Sequence, residues 1–400
     1  MIEVADVFRR FADEYLSAHG ASMPPSHRRA IADIQACRTE VLGGRLWRCE
    51  QCDAEVFSYH SCKNRSCPKC HSRQTERWLE ARKAEMLPTR YFHVTVTVPE
   101  QLRDTLRANQ RDGYALLMKA AAEAIVELAR DRRHVGATVG VLAVLHTWTQ
   151  QLLYHPHVHC LVTGGGVSDD GADWRPARRA FLVPVKALAK LVRGKLRAGL
   201  QKSRPDLVLP DAVWSKPWVV QCTPWGEGEQ AVLDYLARYV FRVAVTNTRI
   251  VGLDDEAVAI RHKHRKSNRW RITRIPGQEF MRRFLQHVLP KGLHKVRYFG
   301  LWHPAKRKDA ARARLLLLLF CRHLFEMFLE EILRFFLRTG GKDGNGESRQ
   351  NSERGISQEL STGVMIVTHR LYRFFRISYF VGPIGAGSGF MGLNFGSWGL

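Results

Sequence analysis

The chain is short of acid. Against 62 Lys+Arg it carries 38 Asp+Glu, which leaves a formal charge of +24 over 400 residues. Such an imbalance argues against a basic partner and favours a polyanion, nucleic acid first. The deficit is concentrated, since residues 261–314 hold 17 Lys+Arg and only 2 Asp+Glu. A secretory leader is lacking too: Glu3 and Asp6 stand where a basic region would be, and no apolar run follows, so the sequence predicts a cytoplasmic protein. Long uninterrupted hydrophobic stretches are missing. The run Leu315 to Phe320 is followed by Arg322, His323, Glu326, Glu330, Glu331 and Arg334, which predicts an amphipathic helix over 306–340 and no membrane span. No internal repeat is evident, and residues 341–400 are Gly- and Ser-rich without a sustained period, which predicts little structure there. Cysteine is sparse outside one window. Six of the nine lie between Cys37 and Cys70, and in a reducing compartment that pattern points to metal rather than to disulfides.

What is present reads as an α+β protein. A composition of 45% hydrophobic and 25% charged residues is that of a globular chain. Residues 1–34 show helical spacing through Val7, Phe8, Phe11 and Tyr15, the Cys-rich module follows, and a helix containing Trp78, Leu79 and Met86 leads out of it. Tyr91 to Val98 is β-rich, and residues 101–133 return to helical spacing. Thr138 to Trp148 and His157 to Thr163 are apolar strands, the second closed by the turn signal Gly164, Gly165, Gly166. Helical patterns near 184–201 and 230–244 and short strands near 248–251, 257–262 and 269–275 complete the pattern. The expected organisation is a helical and zinc-binding region over 1–88, a core over 89–305, the helix over 306–340 and the tail.

Cys49 and Cys52, and Cys67 and Cys70, form two C-x2-C knuckles separated by 14 residues. That spacing resembles a four-thiolate zinc ribbon, in which two turns converge on one ion and stabilise a segment too small for its own core. Cys37, Cys62, His60 and His71 remain as candidates for a second Zn2+. Arg45, Arg48, Lys63, Arg65, Lys69 and Arg73, interleaved with them, would give the module a phosphate-facing surface; Arg65 and Lys69 are the DNA contacts singled out here.

His157 and His159 stand at i and i+2 of a strand, hence on one face and close enough to share a divalent cation, with Val158 directed into the core. A third ligand is needed. Gln150 offers a neutral carbonyl oxygen, with His146 and His155 as rivals. Tyr235 and Tyr239 at i and i+4 share a helix face, a spacing that ordinarily means packing. Beside a metal-binding strand they become candidate nucleophiles, because an ion that polarises a phosphodiester lets a phenolate displace one ester oxygen. Arg238 and Arg242 on the same helix, and Arg265, Lys266, Arg269 and Trp270 in the basic stretch, are the further candidates for contact with DNA, Trp270 by base stacking.

Together these residues resemble a known family. HPHVHCLVTGGG from His155 to Gly166 and YLARYVFRVAVTNTR from Tyr235 to Arg249 are similar to the two-tyrosine HUH transposases of the IS ninety-one insertion-sequence family. So are Cys37-Arg38-Thr39, Leu42-Gly43-Gly44, the stretch Ser61 to Cys70 and the stretch Phe280 to Gly292, so that the likeness covers about residues 30–305. The resemblance implies an HUH core, an antiparallel sheet flanked by helices in a ferredoxin- or RRM-like arrangement, in the bacterial cytosol or nucleoid. It also implies nicking and rejoining of single-stranded DNA at element ends through a 5′-phosphotyrosine, with Mg2+ or Mn2+ at the catalytic centre, Zn2+ in the N-terminal module and no small-molecule substrate. His157 and His159 match its ligands, Tyr235 and Tyr239 its nucleophiles. The family usually shows His where Arg45 and Ser66 stand here, which puts the second zinc site in question. Other readings are a degenerate, truncated copy that binds DNA without cutting, an HUH replication initiator or relaxase, and an RNA-binding zinc protein.

Overall fold

The structure, a computed structural model, describes residues 1–70, 86–240, 243–264 and 267–319, with 327, 330 and 334. Trp78, Leu79, most of 320–340 and the tail from 341 lie outside the described residues. The α+β expectation holds.

At the N-terminus, α1 (Val4–His19) buries Val4, Val7, Phe8, Phe11 and Tyr15, the stripe that three- and four-residue spacing requires. Its first turn is closed reciprocally by Glu3 and Asp6, whose carboxylate accepts from the Glu3 amide at 2.9 Å. α2 (Pro25–Ala36) opens on Pro25, where a missing N–H costs nothing. A hairpin of β1 (Gly44–Arg48) and β2 (Glu55–Tyr59) then projects with nearly every residue exposed.

The main sheet is built from β3 (Arg90–Thr97), β4 (Thr138–Trp148), β5 (Tyr154–Val167), β7 (Val219–Glu227) and β11 (Val296–Gly300), ordered β11-β4-β5-β3-β7 with every neighbour antiparallel; β6 (Trp174–Pro176) pairs with the end of β5. Alternation gives the sheet two apolar faces. Val94, Val96, Val141, Ala143, Val158 and Cys160 pack against α3 (Gln110–Arg130) and α4 (Val185–Ser203). The opposite face, through Tyr91, Leu142, Val144 and Leu161, meets α5 (Gly228–Tyr235) and the π-helical turn Leu236–Val240 that continues it. Each fully buried Val or Leu contributes about 1.5–3 kcal/mol, so both helical layers are held firmly.

A smaller sheet, ordered β10-β9-β8, follows: β8 (Ile250–Leu253), β9 (Ala257–Lys263) and β10 (Trp270–Pro276). Val258, Ile260 and Ile275 turn inward, where α6 (Gly277–Leu285) and α1 join one core, Phe8 and Phe284 meeting edge to face at 5.0 Å. The N-terminal helices therefore share their hydrophobic interior with residues 244–288.

Three local expectations shift. The helix over 101–133 breaks at Asn109, whose side-chain amide donates to the Thr105 carbonyl at 3.0 Å in competition with the helical ladder. The glycines at 164–166 continue β5 rather than ending it. They permit close backbone approach, since a Cβ on Gly166 would lie 2.3 Å from the Thr138 oxygen. The helix expected over 230–244 becomes α5 plus the π turn, and from Val243 the chain is no longer helical. Residues 307–319 are helical, with Ala313 and Leu317 buried and Leu315, Leu318 and Leu319 exposed, which fits the amphipathic pattern over that part. Among the described residues no helix is long and apolar enough to cross a membrane.

Candidate active site and metal centres

β5 lies between β4 and β3, and register decides what its histidines meet. His146 of β4 stands opposite His157, and Thr95 of β3 opposite His159. His146, His157 and His159 bring one ring nitrogen each to within 4.8 Å of the others. Each ring is held by a further contact. His157 donates from Nδ1 to the His155 carbonyl at 2.6 Å, and His146 from Nε2 to the Tyr239 carbonyl at 2.7 Å. His159 Nδ1 meets His93 Nε2 at 2.9 Å and Thr95 Oγ1 at 3.2 Å. One nitrogen of each ring is thus committed to the protein, and the other is the candidate ligand. Gln150 is engaged elsewhere. It lies beyond the end of β4, where its side-chain oxygen accepts from the Lys263 amide at 2.9 Å, and His146 is the third histidine of the cluster. His155 is engaged by Arg103, 3.1 Å from its Nδ1.

The tyrosines sit above this triad, their rings 4.9 Å apart, but they are not equivalent. Tyr239, half-buried in the π turn, lies 4.2 Å from the His159 ring and 4.8 Å from that of His93. Tyr235 is 0% exposed beneath it, among Leu142, Val144 and Leu161, with its hydroxyl fully buried. Burial raises the Tyr235 pKa well above the ordinary tyrosine value. Arg238 is exposed over the Trp225 ring at 5.2 Å, and that ring lies 5.7 Å from Tyr239, which puts a cation at the mouth of the site.

The cysteines are regrouped. Cys67 and Cys70 join Cys37 and Cys62, four sulfurs within 4.8 Å, with Cys70 at 3.5 Å from both Cys37 and Cys62. A tetrahedral Zn–S bond of about 2.3 Å sets the sulfurs about 3.8 Å apart, so this cluster fits one zinc ion. The Cys67 thiol beside it holds Cys62 down to about 6, which favours a thiolate before any ion arrives. Cys49 and Cys52 are exposed at the tip of the β1–β2 hairpin, apart from that cluster, because the strands carry their knuckle away from the turn that holds Cys67.

Residues 7–98 match the family described as a transposase zinc-binding domain, and residues 140–310 the family described as a putative transposase. A putative transposase of Sinorhizobium fredii is 40% identical over 317 residues, covering 74% of this chain and 79% of its own length. The chain belongs to the IS ninety-one family of transposases. A more distant relative is the transposase for insertion sequence element IS801 of Pseudomonas savastanoi, 23% identical and covering 68% of each chain. No solved structure matches.

Several basic residues of the transposase have structural duties. Arg65 donates to the carbonyls of Leu289, Pro290 and Leu293, tying the cysteine module to the segment after α6, and Lys69 pairs with Glu3. Lys69 also lines a recess with Arg38, Arg45 and Lys63. Arg269 and Trp270 stand at the outer end of the small sheet, Trp270 being 56% exposed. Arg242, Arg265 and Lys266 lie outside the described residues. Sequence reasoning missed His93 and Trp225, which close the tyrosine side of the triad. A signal for His93 existed: in a strand of alternating apolar residues it shares a face with Thr95, two positions on.

Proposed function

We propose that the chain nicks and rejoins single-stranded DNA at insertion-sequence ends through a phosphotyrosine, as in rolling-circle transposition. The observation that carries this reading is the Tyr239 ring against His159, at the edge of a cluster of three histidines. Imidazole donors suit a divalent transition ion better than the hard ion Mg2+, and Mn2+ is the weakest binder of that series. Such an ion, once bound, would draw charge from the non-bridging oxygens of the scissile phosphate.

The chain's residues do the rest. The Tyr239 hydroxyl oxygen bonds to phosphorus as the bond from phosphorus to the 3′-oxygen breaks; the tyrosine gives up its proton and the leaving oxygen takes one up, ending as a 3′-OH. The ester keeps the energy of the broken bond, so attack by a 3′-OH restores the strand and frees the tyrosine. Arg238 at the mouth would hold a phosphate.

The outer face of the small sheet offers a path for the strand. Arg261 and Lys263 lie 4.9 and 5.4 Å from the centre of the Trp270 ring, and Ile272 beside them is 65% exposed. A basic face with an exposed indole suits phosphate contact combined with base stacking. This sheet is fastened to the loop after β4 by the Lys263–Gln150 hydrogen bond and by Arg249, which donates to the Gln150 carbonyl. In the zinc-binding module Arg38, Arg45, Lys63 and Trp47 line a recess of about 770 Å3 that could seat another phosphate.

Incubation with single-stranded element-end DNA and Mn2+ is expected to give a covalent protein–DNA adduct that resists denaturation. The Tyr235→Phe, Tyr239→Phe double variant should abolish it; an unchanged yield would sink the proposal.

A further inference from the structure

His93 puts an imidazole nitrogen against the histidine triad, yet it belongs to neither the triad nor the tyrosine pair. Its Nε2 lies 2.9 Å from His159 Nδ1 and 3.3 Å from Thr95 Oγ1, while Thr95 Oγ1 is 3.2 Å from His159 Nδ1. Three polar atoms from two paired strands thus form one triangle. Its ring reaches further. It lies 5.1 Å from His159 with the planes 21° apart, 4.8 Å from Tyr239, 5.9 Å from Tyr235 and 5.1 Å from Trp225.

We propose that His93 is a positioning residue: it accepts the His159 Nδ1–H, fixes the tautomer that presents Nε2 to a metal ion, and seats the Tyr239 ring against the same imidazole. The argument is one of proton counting. Two imidazole nitrogens at 2.9 Å cannot both present lone pairs, so one of them carries the hydrogen. A neutral His159 that ligates through Nε2 must carry its hydrogen on Nδ1, which makes His93 Nε2 the acceptor and places the His93 hydrogen on its own Nδ1. The Thr95 hydroxyl supports either ring without competing for the ligand nitrogen. Partners that orient a ligating imidazole in this way raise its basicity and hold its plane. Because the His93 ring also packs on Tyr239, loss of it should disturb the nucleophile and the ligand together.

This inference rests on the metal-assisted reading above, and titration of the full-length chain with Mn2+ separates the two. His93→Leu removes the acceptor; His93→Gln keeps one, since a glutamine carbonyl oxygen reaches about as far as Nε2. The leucine variant is expected to bind Mn2+ about 10–100-fold more weakly, and the glutamine variant to recover most of that loss. Melting temperatures of the metal-free chains should agree, so that misfolding is not the cause. Equal Mn2+ affinity in parent, leucine and glutamine variants overturns the role of His93 while leaving the proposed function intact. Equal loss in both variants also overturns it, because shape rather than an acceptor would then matter. A parent chain whose Mn2+ binding ignores His157→Ala overturns both readings.

Discussion

His146 and Gln150 illustrate what one residue's position in a strand decides. Both offer a donor atom near the histidine pair in sequence, and the neutral amide of Gln150 is a reasonable ligand on chemistry alone. Strand register favours His146, because β4 sets it opposite His157, whereas Gln150 lies past the end of β4 with its side-chain oxygen on the Lys263 amide. His146→Ala is expected to weaken Mn2+ binding at least about 100-fold, and Gln150→Ala to change it little, as read by calorimetry; removing a direct ligand should cost no less than removing an outer-shell partner. The His157 and His159 pair was legible because period-two alternation needs no tertiary knowledge. His146 was not selected, because its place depends on how β4 pairs with β5, and pairing is a long-range property. The same holds for the cysteines: C-x2-C spacing joined Cys49 and Cys52 to Cys67 and Cys70, whereas Cys37 and Cys62 stand with Cys67 and Cys70 through the folding of α2 and the hairpin.

Among elements, those with a strong period were read well and those with mixed exposure were not. Thr138–Trp148 appears over the expected bounds, and β8, β9 and β10 lie within a few residues of expectation. β7 and β11 escaped, since β7 is largely exposed and β11 half-buried throughout, so neither shows clean alternation. The seam between α1 and α6 was equally hidden, because it joins residues more than 260 positions apart. That seam rests on Phe8 and Phe284, both buried. Phe284→Ala should destabilise the chain by about 3–5 kcal/mol, the usual cost of emptying a buried aromatic site, measured by urea unfolding; a loss below about 1 kcal/mol would show that the N-terminal helices do not share this core. The π turn is the other informative element. Wide turns of this kind recur at functional sites, and here the turn carries Tyr239 beside His159 while Tyr235, in the preceding helix, stays buried.

At the scale of the whole molecule, the excess of 24 positive charges is divided among different duties. Arg65 and Lys69 hold the fold together, whereas Arg238, Arg261 and Lys263 are exposed near aromatic rings. Charge density alone did not separate these groups, because a basic side chain caps carbonyls as readily as it contacts phosphate. The family, by contrast, was legible from the order of its motifs. The account's central claim concerns which oxygen attacks, and peptide mapping of the covalent adduct tests it most directly. Trypsin cuts after Arg238, so Tyr235 and Tyr239 fall on different peptides. With single-stranded element-end DNA and Mn2+, the first adduct to form should carry its nucleotide on the peptide Tyr239 to Arg242, and Tyr235→Phe should leave it there. A first adduct on Tyr235, or one that persists unchanged in Tyr239→Phe, would contradict the account.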